Sequence, residues 1–317
     1  MNFYTDLEKK IKEKNLVALS KAITLSESTR IEDNQIIDDI LSNNTQQLHH
    51  SIVISISGIP GVGKSTFIES LGTYLHSLDK SIAVFAIDPS SEKTHGSILG
   101  DKTRMTELSA LDNVFIRPSP SSNQLGGLGL NTHKNIEIAK LAGFDIILIE
   151  TVGVGQSETL VKNLSDIFVL LLMPASGDEL QGIKRGIMEV ADVFIVNKSD
   201  GKLIDKARKT MLEVQNAIHY TRTHESFSDN ILLYSSLLKT GIESVWTMIE
   251  NFIQYQREHN IFDKKRIEQR LFWFEYEWKN RALAHIEKKY KENITLLKSK
   301  VKEGDTITRN EIDQLLS

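Results

Sequence analysis

The stretch that most restricts what this chain can become runs from Ser51 to Thr66. Ile52, Val53, Ile54 and Ile56 are β-branched and crowd a short run, which suits a strand buried on both faces. Gly58-Ile59-Pro60-Gly61-Val62-Gly63-Lys64-Ser65 then matches G-x-x-x-x-G-K-[ST] in full. Backbone with little side chain can wrap close to phosphate oxygens, its N–H groups turned inward, while the next helix presents its positive N-terminal end. Phe67, Ile68, Leu71 and Leu75 supply that helix. The segment therefore reads as a nucleotide-triphosphate site, with Gly58, Pro60, Gly61, Val62, Gly63, Lys64, Ser65 and Thr66 as its cradle. Lys64 is expected at the β- and γ-phosphates, and the Ser65 hydroxyl on Mg²⁺.

From Ser51 to about residue 257, apolar runs alternate with helical patterns, as in a mostly parallel sheet covered on both sides. The strand candidates are Ile52–Ile56, Ile82–Ile87, Val114–Ile116, Phe144–Ile149, Ile167–Leu172, Val193–Val196 and Ile231–Tyr234. Ligands in such a sheet bind beyond the carboxyl ends of the strands, so the residues just after each run matter most. The fold class expected is an α/β P-loop NTPase with a mostly parallel central sheet flanked by helices, plus helical N- and C-terminal extensions.

Three acids stand where they could meet a triphosphate. Asp88 ends the second run, and Asp101 lies in the loop that follows, beside Arg104. Each reads either as an Mg²⁺- or water-handling carboxylate or as a turn aspartate or helix cap. Glu150 ends the run Ile146-Ile147-Leu148-Ile149 and is followed by Gly153. An acid closing a buried strand, with a glycine within γ-phosphate reach, is how nucleotide switches sense the third phosphate, although Asp is the common form. Two glycine-bearing loops accompany these acids, Arg117 to Leu130 and Pro174 to Lys184. Long loops in compact domains are commonly functional.

Base identity is written after the run Val193-Phe194-Ile195-Val196, which delivers Asn197-Lys198-Ser199-Asp200. The Asp200 carboxylate can accept from guanine's N1–H and its exocyclic amine together, whereas adenine would leave it unpaired. Sites built this way discriminate by on the order of 10⁴-fold, roughly 5 kcal/mol. Lys198 is expected along the base plane and Asn197 as a tie to the glycine-rich loop. Ser235, Ser236 and Leu237 follow the last strand and complete the base pocket.

The flanks carry no nucleotide chemistry. Residues 1–50 read as a helical extension, with Leu7, Ile11, Leu16, Leu19 and Ile23 at one helical spacing and Ile36, Ile37, Ile40 and Leu41 suggesting a second, short helix. Residues 258–317 follow the 51–257 nucleotide domain. There Ile267, Leu271, Phe274, Trp278, Ala282, Ile286, Tyr290, Ile294, Leu297 and Val301 recur every three or four residues, as in one long amphipathic helix. Gly304-Asp305 breaks it, and Thr308 with Glu311 resembles a capping box. The stripe reads as a dimerisation arm or a lid; the arm is favoured because a compact sheet domain has little surface left to bury it. A net charge of −4 over 317 residues offers no basic field for nucleic acid or anionic membrane. The absence of cysteine removes disulfides and thiolate chemistry, and with no signal or transit pattern the cytoplasm is the expected location.

Together these strings resemble the methylmalonyl-CoA mutase-associated GTPase family (MeaB/ArgK type). The resemblance rests on Gly58 to Thr66, Asp-Pro-Ser-Ser at Asp88, Gly-Ser-Ile-Leu-Gly-Asp-Lys-Thr-Arg-Met at Gly96, Phe-Ile-Arg-Pro-Ser-Pro at Phe115, Glu-Thr-Val-Gly-Val-Gly-Gln-Ser-Glu at Glu150, and Gly-Asp-Glu-Leu-Gln-Gly-Ile-Lys at Gly177. Glu in place of Asp at 150 belongs to that family. The resemblance implies a homodimeric GTPase that takes GTP/GDP with Mg²⁺. It also implies a role as chaperone to an adenosylcobalamin-dependent acyl-CoA mutase of methylmalonyl-CoA mutase type, gating cofactor loading and protecting or reactivating it. By position, Asp88, Asp101 and Glu150 would handle Mg²⁺ and water, while Asp178, Gln181 and Lys184 would relay nucleotide state to the mutase. Ser236 stands where the family usually has Ala, and Lys239 where a glycine is expected. The alternatives are an ATP-dependent kinase of a transport-associated protein, which Asn197 to Asp200 opposes, and a metal-insertion GTPase, for which a chain with no Cys and nine scattered His is poorly equipped.

Overall fold

A computed structural model of the chain describes residues 3–45, 50–88, 105–120, 125–151, 158–174, 185–221 and 230–316. It contains a seven-stranded sheet in which every paired neighbour is parallel. The strands are β1 (Ile52–Ser57), β2 (Ile82–Asp88), β3 (Val114–Pro120), β4 (Ile146–Glu150), β5 (Ile167–Leu172), β6 (Val193–Val196) and β7 (Ile231–Leu233). Their order is β3-β2-β4-β1-β5-β6-β7, so the chain's first strand lies at the centre.

The apolar runs make strands because both their faces are buried. Ile167, Val169 and Leu171 of β5 join one core with Ile54, Ile56, Phe67, Ile68 and Leu71, while Phe168, Leu170 and Leu172 join another with Phe194, Val196, Val214 and Ile218. The expected β5 and β6 bounds match those observed. The third run extends to Pro120, beyond the expected Ile116. Two prolines are tolerated there because β3 is the edge strand and pairs only through β2.

Helix α1 (Phe3–Lys12), α2 (Leu16–Ser26) and α3 (Ile31–Ser42) precede the sheet. The sequence pattern suggested one helix through Leu7 to Ile23, but the chain turns at Lys14, whose φ is 55°. Asn15 then caps α2, its side chain accepting from Val17 N and Ala18 N at 3.1 and 3.0 Å. The sheet is flanked by α4 (Lys64–Ser77), α5 (Thr106–Ser109), α6 (Leu125–Leu141), α7 (Glu158–Leu164), α8 (Arg185–Val190), α9 (Ile204–Thr221) and α10 (Ile242–Glu258). The N-terminal helices pack mainly on α6.

The chain divides into two compact units, Met1–Arg266 and Ile267–Ser317. The second contains most of α11 (Ile261–Lys289), then α12 (Lys291–Lys302) and α13 (Arg309–Leu316). The expected single long helix is interrupted at Tyr290. Before α13 the capping box forms: Thr308 N donates to Glu311 Oε2 at 2.9 Å, and Glu311 N donates back to Thr308 Oγ1 at 3.4 Å. Ile267, Leu271, Phe274 and Trp278 are exposed along α11. No helix among the described residues is long and apolar enough to cross a membrane.

Candidate functional site

The site gathers at the carboxyl end of the central strands, where a parallel sheet leaves a crevice. The turn after β1 runs from Gly58 to Gly63 and opens α4 at Lys64. Gly63 caps that helix at φ +98°, and a Cβ there would lie 2.6 Å from Asn197 Nδ2. Only glycine fits, because both the left-handed backbone and the close side chain exclude a larger residue. Val62 is buried beneath the turn and Pro60 and Thr66 are exposed.

Lys64 reaches back across the turn and donates from Nζ to the Gly58 carbonyl at 3.0 Å. Its half-burial lowers the ammonium below the ordinary lysine range, and the Glu150 carboxylate works against that shift. Ser65 Oγ donates to Glu150 Oε1 at 3.0 Å, joining the first turn of α4 to the end of β4. Register explains the meeting, since Ile56 of β1 pairs with Glu150 directly. Thr151 locks the strand end, donating from both N and Oγ1 to Ile56 O at 3.0 and 3.2 Å. Asp88 closes β2 two positions beyond Ala86, the residue aligned with Glu150.

The second half of the site hangs on Asn197, which is fully buried. Its Nδ2 donates to Val62 O at 2.7 Å. Its Oδ1 accepts from Lys198 N, Ser236 Oγ and Ser236 N at 2.8, 2.9 and 3.1 Å. One amide thus fixes the glycine-rich turn, the end of β6 and the turn after β7. Lys198, held at φ 59°, also crosses between the turns, its Nζ donating to Gly61 O at 2.8 Å. Asp200 begins a 3₁₀ turn, and its Oδ2 accepts a short hydrogen bond from Ser235 Oγ. Ser235 and Thr240 exchange two backbone hydrogen bonds of 3.2 Å, closing a turn from which Leu237 projects into solvent.

The structure therefore brings Gly58 to Thr66, Glu150, Asn197, Lys198, Asp200, Ser235, Ser236 and Leu237 to one end of the sheet. Asp101, Gly153, Asp178, Gln181 and Lys184 lie outside the described residues, as do Arg104 and the side chain of Asp88. The sequence pattern puts Ser236 in the base pocket, and in the structure its hydroxyl also adds a hydrogen bond to the Asn197 tie that alanine could not make. Sequence reasoning missed the contact of Lys239 with Glu107, two residues whose separation of 132 positions no local pattern could reveal.

A family model described as "Methylmalonyl Co-A mutase-associated GTPase MeaB" matches residues 19–291. The chain belongs to this family. It is a GTPase that binds guanine nucleotide. The MeaB match covers the sheet, α10 and the start of the C-terminal helices alike. The Methylmalonic aciduria type A homolog, mitochondrial, of Mus musculus is 40% identical over 311 residues, spanning 94% of this chain and 75% of that protein. The GTPase ArgK of Escherichia coli is 35% identical over 279 residues, spanning 88% of this chain and 84% of that one. Among solved structures, the LAO/AO transport system kinase superposes with a TM-score of 0.77 at 27% identity, covering 99% of this chain and 97% of the other.

Proposed function

We propose that this MeaB-family GTPase serves an adenosylcobalamin-dependent acyl-CoA mutase of the methylmalonyl-CoA mutase type. It gates cofactor loading and protects or reactivates the enzyme in the cytoplasm, with GTP hydrolysis as the timer. The family match carries this reading, because it extends over 19–291 and so includes most of α2, α3 and α11 as well as the nucleotide crevice.

In this reading Asp200, with Ser235, Ser236 and Leu237 around it, takes the guanine edge, Lys198 lies along the base, and Asn197 keeps the base turn aligned with the phosphate turn. Backbone N–H groups from Gly58 to Thr66 and of Gly153, with the Lys64 ammonium, hold the phosphates. Ser65 Oγ and Glu150 are adjacent hard oxygen donors, the type that Mg²⁺ takes, so these residues fit the ion, with Asp88 and Asp101 as further candidates. Mg²⁺ supplies charge neutralisation at the phosphates. Asp178, Gln181 and Lys184 are assigned to the relay toward the mutase. The exposed face of Ile267, Leu271, Phe274 and Trp278 supports a homodimer, because an apolar stripe left in water favours a second copy.

The test is phosphate release with and without purified methylmalonyl-CoA mutase, followed by co-elution and light scattering. Stimulation of about tenfold or more is expected, since such GTPases wait for a partner to complete the site. Intact intrinsic hydrolysis with no stimulation and no co-elution would remove the mutase from the account. Tighter binding of ATP than GTP would instead restore the kinase reading that the name of one solved structure suggests, and a monomer's mass would remove the dimer.

A further inference from the structure

We propose that Lys239 is a positioning residue for guanine-nucleotide retention, acting through an ion pair with Glu107 that latches the base turn to the helix of the phosphate cradle. The inference rests on the reading of Asp200 as the guanine-binding carboxylate.

Glu107 sits in α5, the first described element after the segment that carries Asp101 and Arg104. Helix α5 is fixed to α4 in two ways. The buried Leu108 fills a notch at Gly72 of α4, where a Cβ would come within 2.7 Å of Leu108 Cδ2. Glu107 N donates to Glu69 Oε1 of α4 at 2.9 Å, which caps the short helix. Glu107 is thereby a carboxylate on a rigid mount. Its Oε2 accepts from Lys239 Nζ at 2.6 Å.

Lys239 belongs to the turn closed by the Ser235–Thr240 pair, and it occupies the left-handed region at φ 51°. Glycine takes that conformation without strain, whereas lysine does not. An exposed ion pair returns little to stability, so folding alone gives no reason to accept a strained lysine here. What the pair does is connect. The neighbouring Leu238 N donates to Ser235 Oγ at 3.1 Å, and the same hydroxyl donates to Asp200. A continuous path therefore runs from the guanine-facing carboxylate through Ser235 and Lys239 to Glu107 and α4. The Glu107 hydrogen bond raises the Lys239 ammonium above its ordinary pKa, with Glu69 adding to the field, so the ammonium keeps its charge at neutral pH.

The experiment follows release of a fluorescent GDP analogue (N-methylanthraniloyl-GDP) from the full chain, chased with excess GDP, for wild type, Lys239→Gly, Glu107→Gln and the double variant. Lys239→Gly accepts the left-handed turn and removes the side chain with its ammonium, while Glu107→Gln removes the charge from the other end and leaves the turn's backbone untouched. Each single variant is expected to speed release about threefold at low salt, the size of an exposed charge pair, with no fall in either urea midpoint. The double variant is expected to match the singles, and all differences should shrink as salt is raised, since exposed charge pairs weaken under screening. Wild-type release rates in both single variants, or effects that multiply in the double, would overturn the latch. Failure of the wild type to retain the analogue would instead overturn the guanine reading, which separates the two failures.

Discussion

Replacing Asn197 with alanine tests whether the phosphate turn and the base turn work as one device. The side chain is fully buried and makes four hydrogen bonds, to Val62 O, Lys198 N, Ser236 N and Ser236 Oγ. Alanine leaves the Val62 carbonyl and two backbone N–H groups without that partner, at about 1 kcal/mol each, so roughly 3 kcal/mol in all. The tie joins two loops rather than two core elements, so the cost falls chiefly on the nucleotide complex. At 1.4 kcal/mol per decade it weakens GDP binding by about 10²-fold. Asn197→Asp keeps the acceptor oxygen but faces the Val62 carbonyl with a second oxygen in place of a donor, and is expected to be at least as damaging. Gly63→Ala should converge on the same result from the opposite side, because its Cβ would sit 2.6 Å from Asn197 Nδ2. The assay is a fluorescent-GDP titration paired with urea unfolding of each variant. An Asn197→Ala protein that binds GDP within about threefold of wild type, with an unchanged urea midpoint, refutes the reasoning.

Asp200→Asn exchanges a double acceptor for a side chain with a donor, so GTP should lose on the order of 10²-fold or more in affinity while xanthosine triphosphate, with an oxygen at C2, gains; continued preference for GTP in a competition assay would dismiss the base assignment. Arg266→Ala should destabilise the fold by about 3–5 kcal/mol at neutral pH, because the buried Asp166 loses the guanidinium that bonds both its oxygens at 2.8 Å. Burial alone would raise the Asp166 carboxyl, but the Arg266 hydrogen bond and charge outweigh it and hold the net value below the ordinary range. The wild-type contribution is therefore present above the unfolded value near about 3.9 and is lost as pH falls through the lower folded value. The gap between variant and wild type in urea unfolding should be widest above about pH 5 and narrow in acid; an equal gap at both pH values would count against the ion pair as its source.

What the sequence made legible was what neighbours along the chain decide among themselves. The glycine turn, Lys64 and Ser65 stand in one short stretch, and so do Asn197, Lys198 and Asp200; each set needs only its own strand to aim it. β5 and β6 were readable end to end because a strand buried on both faces is apolar at every position. Breaks inside helical patterns were harder. Leu7, Ile11, Leu16, Leu19 and Ile23 keep a helical rhythm across the turn at Lys14, where the only local sign was Asn15, a good capping residue. At Tyr290 neither glycine nor proline marks the interruption. The ties that hold the two halves of the site and the start of α11 in place lay beyond any local pattern. Lys239 meets Glu107 because Asn197 holds the turn after β7 against the turn that opens α4 while α5 packs on α4, and Arg266 meets Asp166 across 100 residues because α11 starts near the amino end of β5. In each pair one partner is an ordinary charged residue on a helix, indistinguishable in sequence from its solvated neighbours. A motif states which chemistry is possible, while topology selects the partners that hold the motif steady, and in this chain Ser236 and Lys239 are among those partners.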